Sequence, residues 1–313
     1  MWNMLIVNAD AGRFRDHLAP LFPEVSISAA ETSDEAGDAF AEAQIIVIIG
    51  PHLRDGDIEK AARLEWIQAL TTGVDNILAS PFLREEALVT TTRGIHGPQM
   101  SELAVLLMLS LNRDFPRTLR RQGRKIWDQR PQRLLEGKTA AILGVGAIGE
   151  QIARKSKAFG MRVIGISGAP REVEGIDEFY RRADLLPAAR EADFLIVLVP
   201  HSPATDKIVG AEVLAAMKPT AFLINIARGG VVDEAALIGA LERGEIAGAG
   251  LDVFAEEPLP AESPLWGMEN VIVTPHIGGM SENYVEQVMP IVEENLRRFT
   301  RGEREKMINI AQR

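Results

Sequence analysis

Thr139-Ala140-Ala141-Ile142-Leu143-Gly144-Val145-Gly146-Ala147-Ile148-Gly149-Glu150 decides how this chain is read. An uncharged, mostly apolar run of strand length ends in G-x-G-x-x-G, and Glu150–Phe159 continues with the composition of a helix. Strand, glycine turn and helix in that order form the setting in which this motif has physical meaning. The first glycine permits the tight turn, the second lets backbone approach a pyrophosphate, and the third lets helix and strand pack closely. The amides at the start of the helix then face the anion. Gly144, Gly146, Ala147, Ile148 and Gly149 are therefore expected to hold the phosphates of a dinucleotide.

Working outward, Arg162–Ile166, Phe194–Val199, Ala221–Ile226, Ala249–Val253 and Val271–Thr274 are strand candidates. With Thr139–Leu143 they make six, the size of a dinucleotide-binding sheet. Helices are expected over Ile148–Phe159, Glu212–Met217 and Glu234–Arg243. The first hundred residues hold a second series: strands Leu5–Val7, Val25–Ile27, Ile45–Ile49, Trp66–Leu70 and Leu88–Thr91, with helices over Ser33–Ala43 and Asp57–Leu64. Alternation of this kind implies parallel sheets with crossover helices. Pro98–Asn112 reads as a linking helix, with its proline in the first turn where a missing N–H costs little. Tyr284–Thr300 has apolar residues at helical spacing and is expected to return to the first series. The expected organisation is an α/β chain of two Rossmann-like or flavodoxin-like parallel-sheet domains with an active-site cleft between them. Residues 1–98 with 287–313 form one domain and 99–286 the other. The Arg-rich stretch Arg113–Arg133 reads equally as a solvated connection or an anion-binding segment.

Composition narrows the function. A length of 313 residues suits two domains. A hydrophobic content of 46% with 25% charged residues fits a globular chain with a sizeable core. A net charge of -10 argues against nucleic acid as a partner, since phosphate backbones call for basic surface. With no cysteine, disulfides, thiolate metal sites and cysteine nucleophiles are excluded. Met1–Val7 lacks the basic start and apolar length of a signal peptide, and no run approaches the ~20 apolar residues of a membrane helix. A cytoplasmic protein without a metal or a membrane partner is expected.

The end of the strand after the glycine turn sets cofactor choice. NAD-binding folds place an acidic residue there to hold the ribose 2′-hydroxyl, whereas an arginine accommodates the 2′-phosphate of NADP. Here the segment reads Gly165-Ile166-Ser167-Gly168-Ala169-Pro170-Arg171, with Ser167 at the acidic position and Arg171 close by. NADP is favoured over NAD, although Glu172 or Glu174, folded back toward the ribose, would restore NAD.

Three further motifs follow the glycine turn: Asn225-Ile226-Ala227-Arg228-Gly229-Gly230, Gly250-Leu251-Asp252-Val253-Phe254-Ala255-Glu256-Glu257-Pro258 and Thr274-Pro275-His276-Ile277-Gly278-Gly279. In this order they resemble the D-isomer-specific 2-hydroxyacid dehydrogenase family over nearly the whole chain, with similarity to its glyoxylate and hydroxypyruvate reductases. The resemblance implies hydride transfer between NAD(P)H and a small 2-keto or 2-hydroxy acid, with D specificity. It makes Arg228, Glu257 and His276 the catalytic set. Histidine titrates near neutral pH and suits proton transfer to the carbonyl oxygen. A neighbouring carboxylate orients the ring, and a guanidinium fork suits a substrate carboxylate. The resemblance places Asp252 at the nicotinamide end of the cofactor and Val199, Pro200, Ala227 and Gly278 along it. In Thr71-Thr72-Gly73-Val74-Asp75, it assigns the Gly73 and Val74 amides to the substrate, beside Arg228 and His276. His96, in Arg93-Gly94-Ile95-His96-Gly97-Pro98, reads as structural in preference to lining the cleft, Asp75 is expected to be structural, and Glu102 to support the cleft.

The resemblance further implies a homodimer formed around the linking helix, whose apolar run Leu103–Leu111 would look the same if buried within one subunit. Some members of the family act as transcriptional corepressors, so a non-catalytic NAD(H)-sensing protein of the same fold is the alternative. An unrelated dinucleotide enzyme would leave the second half of the chain unexplained.

Overall fold

The computed structural model of the chain describes residues 1–169 and 171–311. Residues 312 and 313, part of the expected 287–313 segment, lie outside the described residues. The chain divides into one unit of Met1–Ile95 with Ser281–Arg313 and a second of His96–Met280.

The first unit alternates β1 (Trp2–Val7), α1 (Ala11–Leu18), β2 (Val25–Ala30), α2 (Ser33–Ala36), α3 (Ala39–Glu42), β3 (Ile45–Ile48), α4 (Asp55–Lys60), β4 (Trp66–Ala69), α5 (Asp75–Leu78) and β5 (Leu88–Thr90). The strands are all parallel, in the order β2-β1-β3-β4-β5, which is the flavodoxin-like arrangement. The four residues of β3 are wholly buried because both faces of the sheet are covered. Ile46 and Ile48 join Leu5, Val7 and Ile67 on one face, while Ile45 and Val47 join Met4, Ile6 and Trp66 on the other. The helix expected over Ser33–Ala43 is two short helices. Gly37 ends the first with φ +47, a left-handed backbone that glycine adopts at little cost.

The second unit contains α6 (Gly97–Asn112), α7 (Phe115–Gly123), β6 (Thr139–Leu143), α8 (Ala147–Ala158), β7 (Arg162–Ser167), β8 (Glu178–Arg181), α9 (Leu185–Glu191), β9 (Phe194–Val197), α10 (Ala211–Ala216), β10 (Phe222–Asn225), α11 (Glu234–Glu242), β11 (Gly248–Leu251) and β12 (Val271–Val273). Its strands are also parallel and run β12-β11-β10-β9-β6-β7-β8. Seven strands replace the six expected. The extra one, β8, is an edge strand that pairs only with β7 and carries Glu178 and Arg181 at exposed positions, so it has no apolar run to betray it. Strand alternation splits the core between two faces, with Ala141, Leu143 and Ile164 on one and Ala140, Ile142 and Val163 on the other. α6 covers the second face with Ala104, Leu107, Met108 and Leu111 and leaves Leu106 exposed.

The chain then returns to the first unit through α12 (Tyr284–Thr300), over the span that the periodicity predicts. Val288, Val292, Leu296 and Phe299 bury themselves with Met4, Ile6 and Trp66. A buried polar chain fixes the register. Asn295 Nδ2 donates to Gln68 Oε1 at 2.9 Å, Asn295 Oδ1 accepts from the Ile308 amide at 2.6 Å, and Thr90 Oγ1 donates to Gln68 Oε1 at 2.8 Å while accepting from Trp66 Nε1 at 2.8 Å. Among the described residues, no helix is long and apolar enough to cross a membrane.

Candidate active site

In the second unit, β6 is flanked by β7 on one side and β9 on the other. This is a topological switch point, where parallel α/β sheets leave a crevice at the carboxyl ends of the strands. The glycine turn lies there. Gly144 has φ +106, and a Cβ on it would stand 2.9 Å from the backbone of Leu198 and Val199. The turn is therefore pressed against the end of β9, with Val199 buried beneath it and Pro200 exposed beyond it. Gly149 approaches the Gly144 carbonyl so closely that a Cβ would meet it at 2.8 Å, which seats α8 against β6. Gly146, the residue before α8, has open space where a side chain would stand, and Ala147 and Ile148 open the helix with their amides. A cramped underside and an open mouth at a helix N-terminus fit a dinucleotide pyrophosphate.

Three neighbouring strands bring the other residues to the same edge. Arg228 follows β10, Asp252 and Glu257 follow β11, and His276 follows β12. His276 Nδ1 lies 2.7 Å from Glu257 Oε2. The other oxygen of Glu257 accepts from the Phe254 amide at 2.9 Å, so the acid is held from both sides. With Nδ1–H turned toward a carboxylate, Nε2 is the nitrogen left to carry a transferable proton. His276 has φ +51, a left-handed backbone that costs a non-glycine residue stability. Asp252 supports it. This carboxylate is 1% exposed and accepts from Thr274 Oγ1 at 2.6 Å and the Ile277 amide at 3.0 Å on one oxygen, and from the Gly278 amide at 2.9 Å on the other. Its carbonyl accepts from the His276 amide at 2.9 Å. Expected at the nicotinamide, Asp252 has these contacts within the loop that carries His276.

Arg228 is held by Asn225, which is 1% exposed. Asn225 Nδ2 donates to the Arg228 carbonyl at 3.2 Å, and its Oδ1 accepts from the Ala227 amide at 3.2 Å. Arg228 Nη1 donates to the Ala227 carbonyl at 2.6 Å. Gly229 sits against Phe254, where a Cβ would fall 1.8 Å from the carbonyl oxygen, so the Arg228 turn abuts the segment that holds Glu257. His96 completes the group. It is buried, and burial first and the positive charge of Arg228 second push its pKa down to about 4. Its ring also lies 3.3 Å from where a Cβ of Gly279 would stand. His96 therefore remains neutral at neutral pH beside both Arg228 and the His276 loop. From the sequence, Asn225 and Thr274 have no site role of their own, although both fall inside recognised motifs, and His96 reads as a structural residue in preference to a cleft-lining one.

The remaining expected residues are placed as follows. Ser167 ends β7, and its Oγ bonds the Ala169 backbone at 3.3 Å. Arg171 forms an ion pair with Glu150. Glu102 is exposed and faces Lys155 at 3.7 Å. In the first unit, Gly73 and Val74 lie in the turn between β4 and α5, where Thr71 Oγ1 donates to the Gly73 carbonyl at 2.9 Å and Val74 is buried. Among the described residues, no group of three or more acidic or histidine side chains is placed to hold a metal.

A glycine turn and an acid-paired histidine along the carboxyl edge of one parallel sheet define the dinucleotide-binding α/β class. Residues 105–278 match the model of the D-isomer specific 2-hydroxyacid dehydrogenase NAD-binding domain. The chain is 36% identical over 284 residues to D-3-phosphoglycerate dehydrogenase of Methanocaldococcus jannaschii, covering 90% of this chain but only 54% of that relative. It is 37% identical over 271 residues to glyoxylate reductase of Pyrococcus horikoshii, covering 83% of this chain and 80% of the relative. The structure also resembles an NADPH-dependent glyoxylate/hydroxypyruvate reductase of Sinorhizobium meliloti solved with NADP and sulfate, with a TM-score of 0.85, 27% identity and coverage of 100% and 98% of the two chains. The chain belongs to the D-isomer specific 2-hydroxyacid dehydrogenase family.

Proposed function

We propose that this chain reduces small 2-keto acids, with glyoxylate and hydroxypyruvate as the leading substrates, to D-2-hydroxy acids at the expense of NADPH in preference to NADH. The observation that carries the reading is the 2.7 Å pair of His276 and Glu257, which follow β12 and β11, next to the β10 end that carries Arg228 at the carboxyl edge of the cofactor sheet. The bound nicotinamide supplies the hydride. His276, kept in one tautomer by Glu257, delivers a proton from Nε2 to the carbonyl oxygen as negative charge develops there. Arg228 binds the substrate carboxylate and polarises the carbonyl through its donor fork. Neutral His96 adds no second positive charge to compete with Arg228 for that anion. Asp252 and Asn225 act through the groups they position. The intact acid–histidine pair disfavours a purely sensory role.

Purified protein should oxidise NADPH when glyoxylate, hydroxypyruvate or pyruvate is added, and His276→Ala should slow turnover by about 10²–10⁴-fold. Absence of turnover with every one of these acids and both cofactors would overturn the proposal. Cytoplasmic location and a homodimer built on the second unit belong to the same reading. The exposed apolar side chains Leu106, Leu119, Trp127 and Leu134 support the dimer, and sedimentation at twice the 34.2 kDa chain mass tests it.

A further inference from the structure

NADP and NAD differ only by a phosphate on the adenosine ribose, and the residue that reads it lies where the strand after the glycine turn ends. Two arginines compete for that role. Arg171 is nearer in sequence but is engaged by Glu150. Arg182 is brought there by a strand that the sequence does not reveal. β8 runs parallel to β7 with Arg181 opposite Ser167, so the next residue, Arg182, emerges beside Gly168. Its Nη2 stands 3.4 Å and its Cζ 3.8 Å from where a Cβ of Gly168 would be, and glycine leaves that space clear. Its Nε is buried without a hydrogen-bond partner among the described residues. A buried guanidinium N–H left unpaired is costly, so its retention at this place calls for an acceptor. Ser167 puts a neutral hydroxyl, bonded here to the Ala169 backbone, at the strand end, where a carboxylate would repel a phosphate.

We infer that Arg182 is the residue that binds the 2′-phosphate of NADP and sets cofactor preference, with Ser167 beside it and Arg171 outside the contact. The inference rests on the NADPH reading above. The test is binding, read apart from catalysis, of adenosine 2′,5′-bisphosphate and of 5′-AMP, which lacks only the 2′-phosphate. The parent protein should bind the bisphosphate more tightly. Arg182→Met should weaken bisphosphate binding by about 10–100-fold, the scale of a lost charge-assisted contact, and leave 5′-AMP binding unchanged. Arg182→Lys should restore part of the loss. If the parent protein does not distinguish the two ligands, the NADPH reading itself falls and this inference with it. If the parent discriminates and Arg182→Met still does, the NADPH reading stands and the assignment to Arg182 is overturned. Equal weakening of both ligands in Arg182→Met overturns it as well, because the residue would then be holding the fold.

Discussion

Replacing His96 with glutamine should change how the stability of the protein depends on acid. The folded His96 has a pKa of about 4, against 6.5 for the free side chain. Between those values the unfolded chain binds a proton that the native chain refuses, so native stability falls as pH drops from 6.5 toward 4. The full loss is about 3 kcal/mol at 1.36 kcal/mol per unit, and about 2 kcal/mol has gone by about pH 5. Urea unfolding of the parent and of His96→Gln at about pH 7.5 and at about pH 5 isolates this contribution, because the other four histidines are common to both proteins and cancel. The difference in unfolding free energy between the two proteins should shift by about 2 kcal/mol in favour of the variant on acidification. Curves that stay parallel across that range would refute the reasoning and show that His96 is protonated at little cost beside Arg228.

Glu257→Gln should lower kcat/KM for glyoxylate by about tenfold, with NADPH affinity unchanged; a charge-assisted bond is worth more than this when buried, but His276 and Glu257 are 42% and 34% exposed and solvent screens the pair. Steady-state kinetics with both substrates varied checks it. Asp252→Ala removes the acceptor for two loop amides and a hydroxyl. It should destabilise the protein by about 2–4 kcal/mol in urea unfolding and abolish turnover, since the His276 loop loses its anchor. Asn295→Leu removes one of the two donors to Gln68 Oε1 and both Asn295 contacts of the Ile308 backbone, and should cost about 1–3 kcal/mol in the same assay, with the carboxyl-edge residues of the second unit untouched.

Strands covered on both faces were legible because burial makes them almost wholly apolar. Ile45–Ile48, Thr139–Leu143 and Phe194–Val197 all fall inside predicted spans, and α12 follows from its helical spacing. Elements whose stability comes from elsewhere were not legible. β8 is held at an edge by its ladder with β7. α7 hides in an arginine-rich stretch because it buries no side chain, and Asp128, beyond its end, engages Arg117 and Arg130. α9 is short and has Pro187 in its first turn. In the candidate site, the motifs named Arg228, Glu257 and His276 through resemblance, and the structure adds what spacing does not encode. That includes both oxygens of Glu257 being engaged, Asp252 turned to the His276 loop, and His96 buried near Arg228, some 130 residues away in sequence. Such contacts join residues on different strands, so no local pattern announces them.

The return of α12 gives the chain an order of assembly during synthesis. Everything the second unit needs has been made once residue 280 is clear of the ribosome, whereas the first sheet lacks Val288, Val292, Leu296 and Phe299 until about twenty residues later. At roughly 5–20 residues per second the delay is on the order of seconds. For that time Met4, Ile6 and Trp66 have an apolar face covered by Phe14 and Leu18 of α1 but not by α12, so the early-made half is the late-finished one and the natural client for a chaperone on the nascent chain.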